Sequence, residues 1–194
     1  MISKAWPEVK EMTKKEFTLI YQWNDNDYRP DVRFYLGMNE TGFTMHITIP
    51  EADPMREKTK HFSSVCVDSC VEWFVNFAPE ICDRYFNFEV NALGTMNVSF
   101  RKDRYDSKFL ELEDVESLNI QTEIFDDHWT VDYTVPFTLI EKYIPGYEFK
   151  EGMTIKANFY KCGGEIRHHG MWQPVKVEKP DFHRPEYFGE IVVE

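Results

Sequence analysis

The sequence predicts an all-β protein, an antiparallel β-sandwich of jelly-roll type with about eight to ten strands and at most one short helix. Three observations carry this. Apolar and polar residues alternate with period two along most of the chain, the pattern of strands with one buried face. Turn-forming residues interrupt the alternation at short intervals. One run alone, residues 137–143, has a helical pattern.

The elements follow in order. Residues 31–38 alternate, Asn39-Glu40-Thr41-Gly42 turns the chain, and 43–49 return with Phe43, Met45, Ile47 and Ile49 on one face. Residues 50–64 are polar and read as a surface loop. In 70–77, Val71, Trp73, Val75 and Phe77 oppose Glu72, Phe74 and Asn76. In 83–92, Phe86, Phe88 and Val90 oppose Tyr85, Asn87, Glu89 and Asn91. Leu93-Gly94-Thr95 then turns into 96–101, where Met96, Val98 and Phe100 face the core. Residues 118–125 and 129–135 form a second hairpin around Asp126-Asp127-His128, and Pro136 ends it. The helical run follows. Residues 154–162 are a further strand, and 188–194 close the chain, expected to pair with an early strand. With no repeat or low-complexity linker, one domain over 1–194 is expected, residues 1–30 being an N-terminal strand or extension.

Composition limits function. The chain has 194 residues and a net charge of −12. Phosphate binding needs clustered Lys and Arg, so nucleic acid and anionic membrane are not expected partners. No apolar run of the ~7–15 residues of a secretory signal follows Met1, which reads as cytoplasmic. The 42% hydrophobic content can build a core without disulfides or metal. Cys66, Cys70, Cys82 and Cys162 are therefore expected as free thiols, and the spacing of Cys66 and Cys70 is not that of a zinc ribbon, so no metal site is expected.

Nucleophile elbows, phosphate-cradling Gly loops and H-E-x-x-H are absent. His168 and His169 are adjacent, so a strand would point them to opposite faces. Glu72 and Glu89 sit on non-core faces of strands that could be neighbours, the arrangement a glycosidase needs, although 34 acidic residues make such pairs common by chance. Asn24-Asp25-Asn26-Asp27 and Asp126-Asp127 are oxygen-rich and suit either a structural calcium or solvated turns.

Two features suit a sugar. The face carrying Phe74, Tyr85, Asn76, Asn87, Glu89 and Asn91 mixes rings, amides and a carboxylate, which stack on C–H faces and hydrogen-bond hydroxyls. Loops covering that sheet face would explain it equally. Trp172 lies in a Gly-bounded polar loop, either as a lid over the core or as a stacking platform.

Four segments in order resemble family 9 carbohydrate-binding modules. They are Val67-Asp68-Ser69-Cys70-Val71-Glu72-Trp73-Phe74-Val75, Tyr85-Phe86-Asn87-Phe88-Glu89-Val90-Asn91-Ala92-Leu93-Gly94, Trp129-Thr130-Val131-Asp132-Tyr133-Thr134-Val135-Pro136, and Trp172-Gln173-Pro174 with Pro185-Glu186-Tyr187-Phe188-Gly189-Glu190-Ile191. The resemblance implies a β-sandwich that holds a sugar between two rings, with structural calcium. It places Trp172 as the ring in the late loop, Glu72 and Asn91 at the sugar's edge, His169 at a polar edge position and Glu89 where a basic residue can occur. The second ring should fall at Val65-Cys66-Val67, which has none; Phe62 is nearest. The expectation is non-catalytic binding of a mono- or oligosaccharide. The alternatives are a protein-interaction or structural sandwich with a degenerate sugar site and, below that, a glycoside hydrolase.

Overall fold

The computed structural model describes residues 15–24 and 26–193. The extension expected over 1–30 is thus described from Lys15 onward, and Asp25 and Glu194 lie outside the described residues.

Two antiparallel sheets form the sandwich. The smaller has the order β1 (Lys15–Thr18), β3 (Arg33–Met38), β4 (Gly42–Ile49), β10 (Trp129–Pro136) and β9 (Gln121–Ile124). The larger has the order β2 (Ile20–Tyr21), β12 (His169–Met171), β11 (Thr154–Cys162), β5 (Cys70–Asn76), β6 (Tyr85–Asn91), β7 (Met96–Arg101) and β8 (Ser107–Phe109). Strand β13 (Gly189–Val192) shares an edge of β11 with β12, pairing with its Thr154–Ala157 end. The closing strand therefore pairs with a late strand and not an early one. Ile191 drives this by entering the core between the sheets.

Among the described residues thirteen strands exceed the expected count because several are short strands of two to four residues, too short to show alternation. The described residues include two α-helices, α1 (Leu112–Ser117) and the expected α2 (Phe137–Tyr143). The first is under two turns, so it has no readable period. A capping box between Glu111 and Asp114 starts it.

The apolar sides of both sheets meet in a core centred on Trp73. Its ring stacks on Phe88 at 5.7 Å and on Phe159 at 6.3 Å. Each such ring taken out of water stabilises the fold by roughly 1.5–3 kcal/mol. The opposite side of the larger sheet is also buried: the side chains of β6 are all out of solvent, polar and apolar alike. Alternation locates the two faces but does not show that the second one is covered.

Candidate functional site

The strand register sets a grid on the outer face of the larger sheet. One row runs Tyr160, Glu72, Glu89, Asn97 across β11, β5, β6 and β7. A second row, toward one end, runs His169, Cys162, Cys70, Asn91. A third, on the other side, runs Asn158, Phe74, Asn87, Ser99. Period-two geometry puts all of these side chains on one face.

Residues 172–188 cross this face as a partial roof. The ring of Phe182 lies on Tyr160 and packs against Cys70 and Cys162. His183 stacks on Phe74 at 5.0 Å, and its Nδ1 is 2.9 Å from the Tyr85 hydroxyl. Arg104, in the turn between β7 and β8, donates twice to Asp181, at 3.1 and 2.6 Å, and ties the roof to the sheet's far side. Trp23 supports the roof by donating from its indole to the Val177 carbonyl at 3.2 Å.

Beneath it lies a polar network around two carboxylates. Asn87 and Asn97 donate their amides to the two oxygens of Glu89. Ser99 donates to Asn87, and the Arg101 Nε donates to Asn87 at 3.1 Å and to Ser99 at 2.6 Å. The Cys162 thiol donates to Glu72 at 2.9 Å. Glu72 is 3% exposed and Glu89 5%, so solvent screens neither. Burial pushes the Glu72 carboxyl well above the ordinary carboxylate range, helped by Cys162 and Glu89, while Arg101 opposes. Glu89 is raised by burial against the pull of Asn97, Arg101 and Asn87. The pair therefore holds protons more tightly than free carboxylates do.

The structure brings Glu72 and Glu89 side by side, as the alternation allows. His169 stands at the end of the neighbouring row, its ring edge-on to Trp23 and to Phe182. Asn91 is committed to the chain itself. Its amide donates to the Lys58 carbonyl and to Asp68, and its oxygen accepts from the backbones of Leu93 and Thr95, so it shapes the turn after β6. Trp172 lies on the other side of the sheet from Glu72. Strand alternation sends Met171 to the roofed face and Trp172 inward, where its ring meets Phe17 at 4.8 Å and Phe159 at 5.7 Å. Of the two roles open to it, this is the lid. Sequence reasoning missed Phe182, which has no periodic neighbours, and Tyr160. Asn97 and Arg101 were legible as the partners of Met96, Val98 and Phe100 in alternation.

In the oxygen-rich loops, several side chains already have partners within the chain. The Asn24 side chain bonds to Tyr28 and His169, Asn26 bonds to Arg167 and Tyr28, and Asp127 pairs with His128 at 2.6 Å. Separately, a groove of about 600 Å³ opens between Tyr28, the 50–57 loop and Glu165-Ile166; it contains none of the five residues singled out by sequence.

Known proteins bear on this arrangement. The family model described as carbohydrate-binding family 9 matches residues 5–193. A protein from Bacteroides uniformis ATCC 8492, described as a candidate carbohydrate-binding protein, is 25% identical, with a TM-score of 0.80 over 94% of this chain and 87% of its own. A family 9 carbohydrate-binding module from Caldicellulosiruptor kristjanssonii in complex with cellotriose has a TM-score of 0.60 at 11% identity, over 91% of this chain and 80% of its own. A glucose complex from the same organism has a TM-score of 0.62 at 11% identity, over 94% and 84%. These last two likenesses concern the fold. No curated protein matches the chain.

Proposed function

The chain belongs to carbohydrate-binding family 9, and from that membership we propose that it binds a mono- or oligosaccharide, without catalysis, on the outer face of the larger sheet. The observation that carries this reading is the adjacent pair Glu72 and Glu89 in one cross-strand row, flanked by the Asn97 amide. Paired carboxylates accept from vicinal hydroxyls, and a neutral sugar supplies those donors without adding charge to an already acidic protein. Phe182 borders the row and offers the apolar surface on which a sugar's C–H face stacks. His169 extends the polar edge. Asn91 serves the site by fixing a turn at its edge, and Trp172 serves it from behind by seating the start of the roof. That family 9 module structures hold glucose and cellotriose makes glucans the first ligands to try. The family is one of binding modules, which supports the non-catalytic part of the reading.

The inward packing of Trp172 favours a second reading, a protein-interaction or structural sandwich whose sugar site is degenerate. Titration of the labelled protein with glucose, cellobiose and cellotriose to ~10 mM separates the two, since one stacked ring and a few edge bonds give micromolar to millimolar affinity. Saturable shifts at Glu72, Glu89 and Phe182 support saccharide binding. A spectrum unmoved by all three sugars and by a wider glycan panel rejects it.

A further inference from the structure

We propose that Cys70, Cys162 and Glu72 form a binding site for a single thiophilic divalent cation, with zinc as the physiological candidate. Cys70 and Cys162 are direct cross-strand partners on β5 and β11, and Glu72 follows two residues along on the same face. One ligand atom from each of the three, two thiol sulfurs and a carboxylate oxygen, lies within 4.8 Å of the others. Zinc bonds sulfur at about 2.3 Å and carboxylate oxygen at about 2.0–2.2 Å, so small side-chain rotations close the shell. Two thiolates and a carboxylate are a soft set that selects zinc-like ions over magnesium or calcium.

Charge points the same way. Among the described residues Glu72 makes no ion pair, and its hydrogen bond comes from Cys162 alone. Lys161, next to Cys162 in sequence, alternates to the opposite face, where its ammonium meets Cys162 O, His168 and Glu51. Ionising a buried carboxyl is costly without a cation in contact with it, and a bound metal would supply that cation. Both thiols ligate as thiolates and Glu72 as a carboxylate, and the protons these groups hold leave to solvent. Three protein donors leave a fourth position for water or an exchangeable ligand. The cysteine spacing in the sequence points elsewhere, because Cys66 sits in the 3-10 turn Val65–Val67 and its thiol is outside the cluster. The site does not depend on the saccharide reading: metal on one oxygen of Glu72 leaves the other free for a sugar hydroxyl.

The test is cobalt(II) titration of the reduced, metal-free full chain, followed by zinc back-titration against a chromophoric chelator. The expected result is a thiolate-to-cobalt charge-transfer band that saturates at one equivalent and is displaced by zinc. Cys162→Ser should abolish the band, whereas Cys66→Ser and Cys82→Ser should retain it. Glu72→Gln should keep the band and weaken affinity by more than the roughly 10–100-fold typical of losing an outer-shell partner. If Cys162→Ser does not fold, two measurements decide instead: Glu72→Gln, and a saturable rise of the wild-type Tm with zinc. Absence of the band at one equivalent overturns the proposal, as does a band that survives Cys162→Ser or follows Cys66.

Discussion

Phe182 lies flat on Tyr160, with ring centroids 4.1 Å apart and 16° between planes, and its carbonyl accepts from the same tyrosine's hydroxyl at 3.1 Å. One side chain on β11 thus fixes both ring and backbone of the roof. Tyr160→Phe should keep the stack and lose the anchor, costing about 1 kcal/mol in denaturant unfolding. Phe182→Ala should cost about 1–2 kcal/mol and weaken saccharide binding roughly tenfold, given the worth of one aromatic contact. Unchanged sugar affinity in that variant would remove Phe182 from the site.

Trp172 separates lid from platform. Its ring fills space between Phe17, Phe159 and the backbone of Gly189, where even a Cβ would stand 2.6 Å from the indole. Trp172→Ala should lose about 2–4 kcal/mol, below the usual range for a fully buried Trp because the ring is half-buried. Trp172→Phe should recover much of the loss and leave saccharide affinity within twofold. A folded Trp172→Phe protein that no longer binds a sugar bound by wild type would make the indole a contact residue after all.

The alternating strands were legible because period two is written directly into residues such as Val71, Trp73, Val75 and Glu72. So was the possible adjacency of Glu72 and Glu89, which needs only that consecutive strands pair. Three things were not. The inward turn of Trp172 depends on the three-residue strand β12, too short to show a phase. The roof's ring, Phe182, sits in an aperiodic segment whose position is set by Arg104, Tyr160 and Tyr85, all distant in sequence. The pairing of Cys70 with Cys162 joins residues 92 apart, which only the sheet register brings together.

Asn91 offers a purely structural test. Its four hydrogen bonds join the turn after β6 to Lys58 and Asp68. Asn91→Ala strands the backbone donors of Leu93 and Thr95 and removes a donor from Asp68. The expected loss is about 2–4 kcal/mol, as each buried group left without a partner costs ~1–3 kcal/mol. Thermal unfolding reads it. Asn91→Asp, which keeps the acceptor but sets a carboxylate against Asp68, should be no better than Asn91→Ala.

The pH dependence of stability sets the histidines against the carboxylates. His183 is pushed down to about 3 by burial, then by Arg101 and Arg104, and His168 to about 4 by burial, then by Lys161. The unfolded chain binds those protons from about pH 6.5 downward, so their contribution is complete above 6.5 and is lost as pH falls toward 3–4. Glu72 and Glu89 have raised values, so their contribution is complete below about 4.5 and is lost as pH rises through the folded-state values. The wild-type profile is therefore flattened between the two. Variants expose each slope. His183→Gln should gain on wild type as pH falls below 6.5, by up to about 1.4 kcal/mol per pH unit. Glu72→Gln should gain on wild type as pH rises above the ordinary carboxylate range. Urea unfolding from pH 4 to 8 gives both difference curves. A Glu72→Gln curve that instead falls with rising pH would mean that Glu72 is ionised and paired with a cation in the folded protein, as it would be with metal bound, so the measurement belongs on chelator-treated protein first and zinc-loaded protein second.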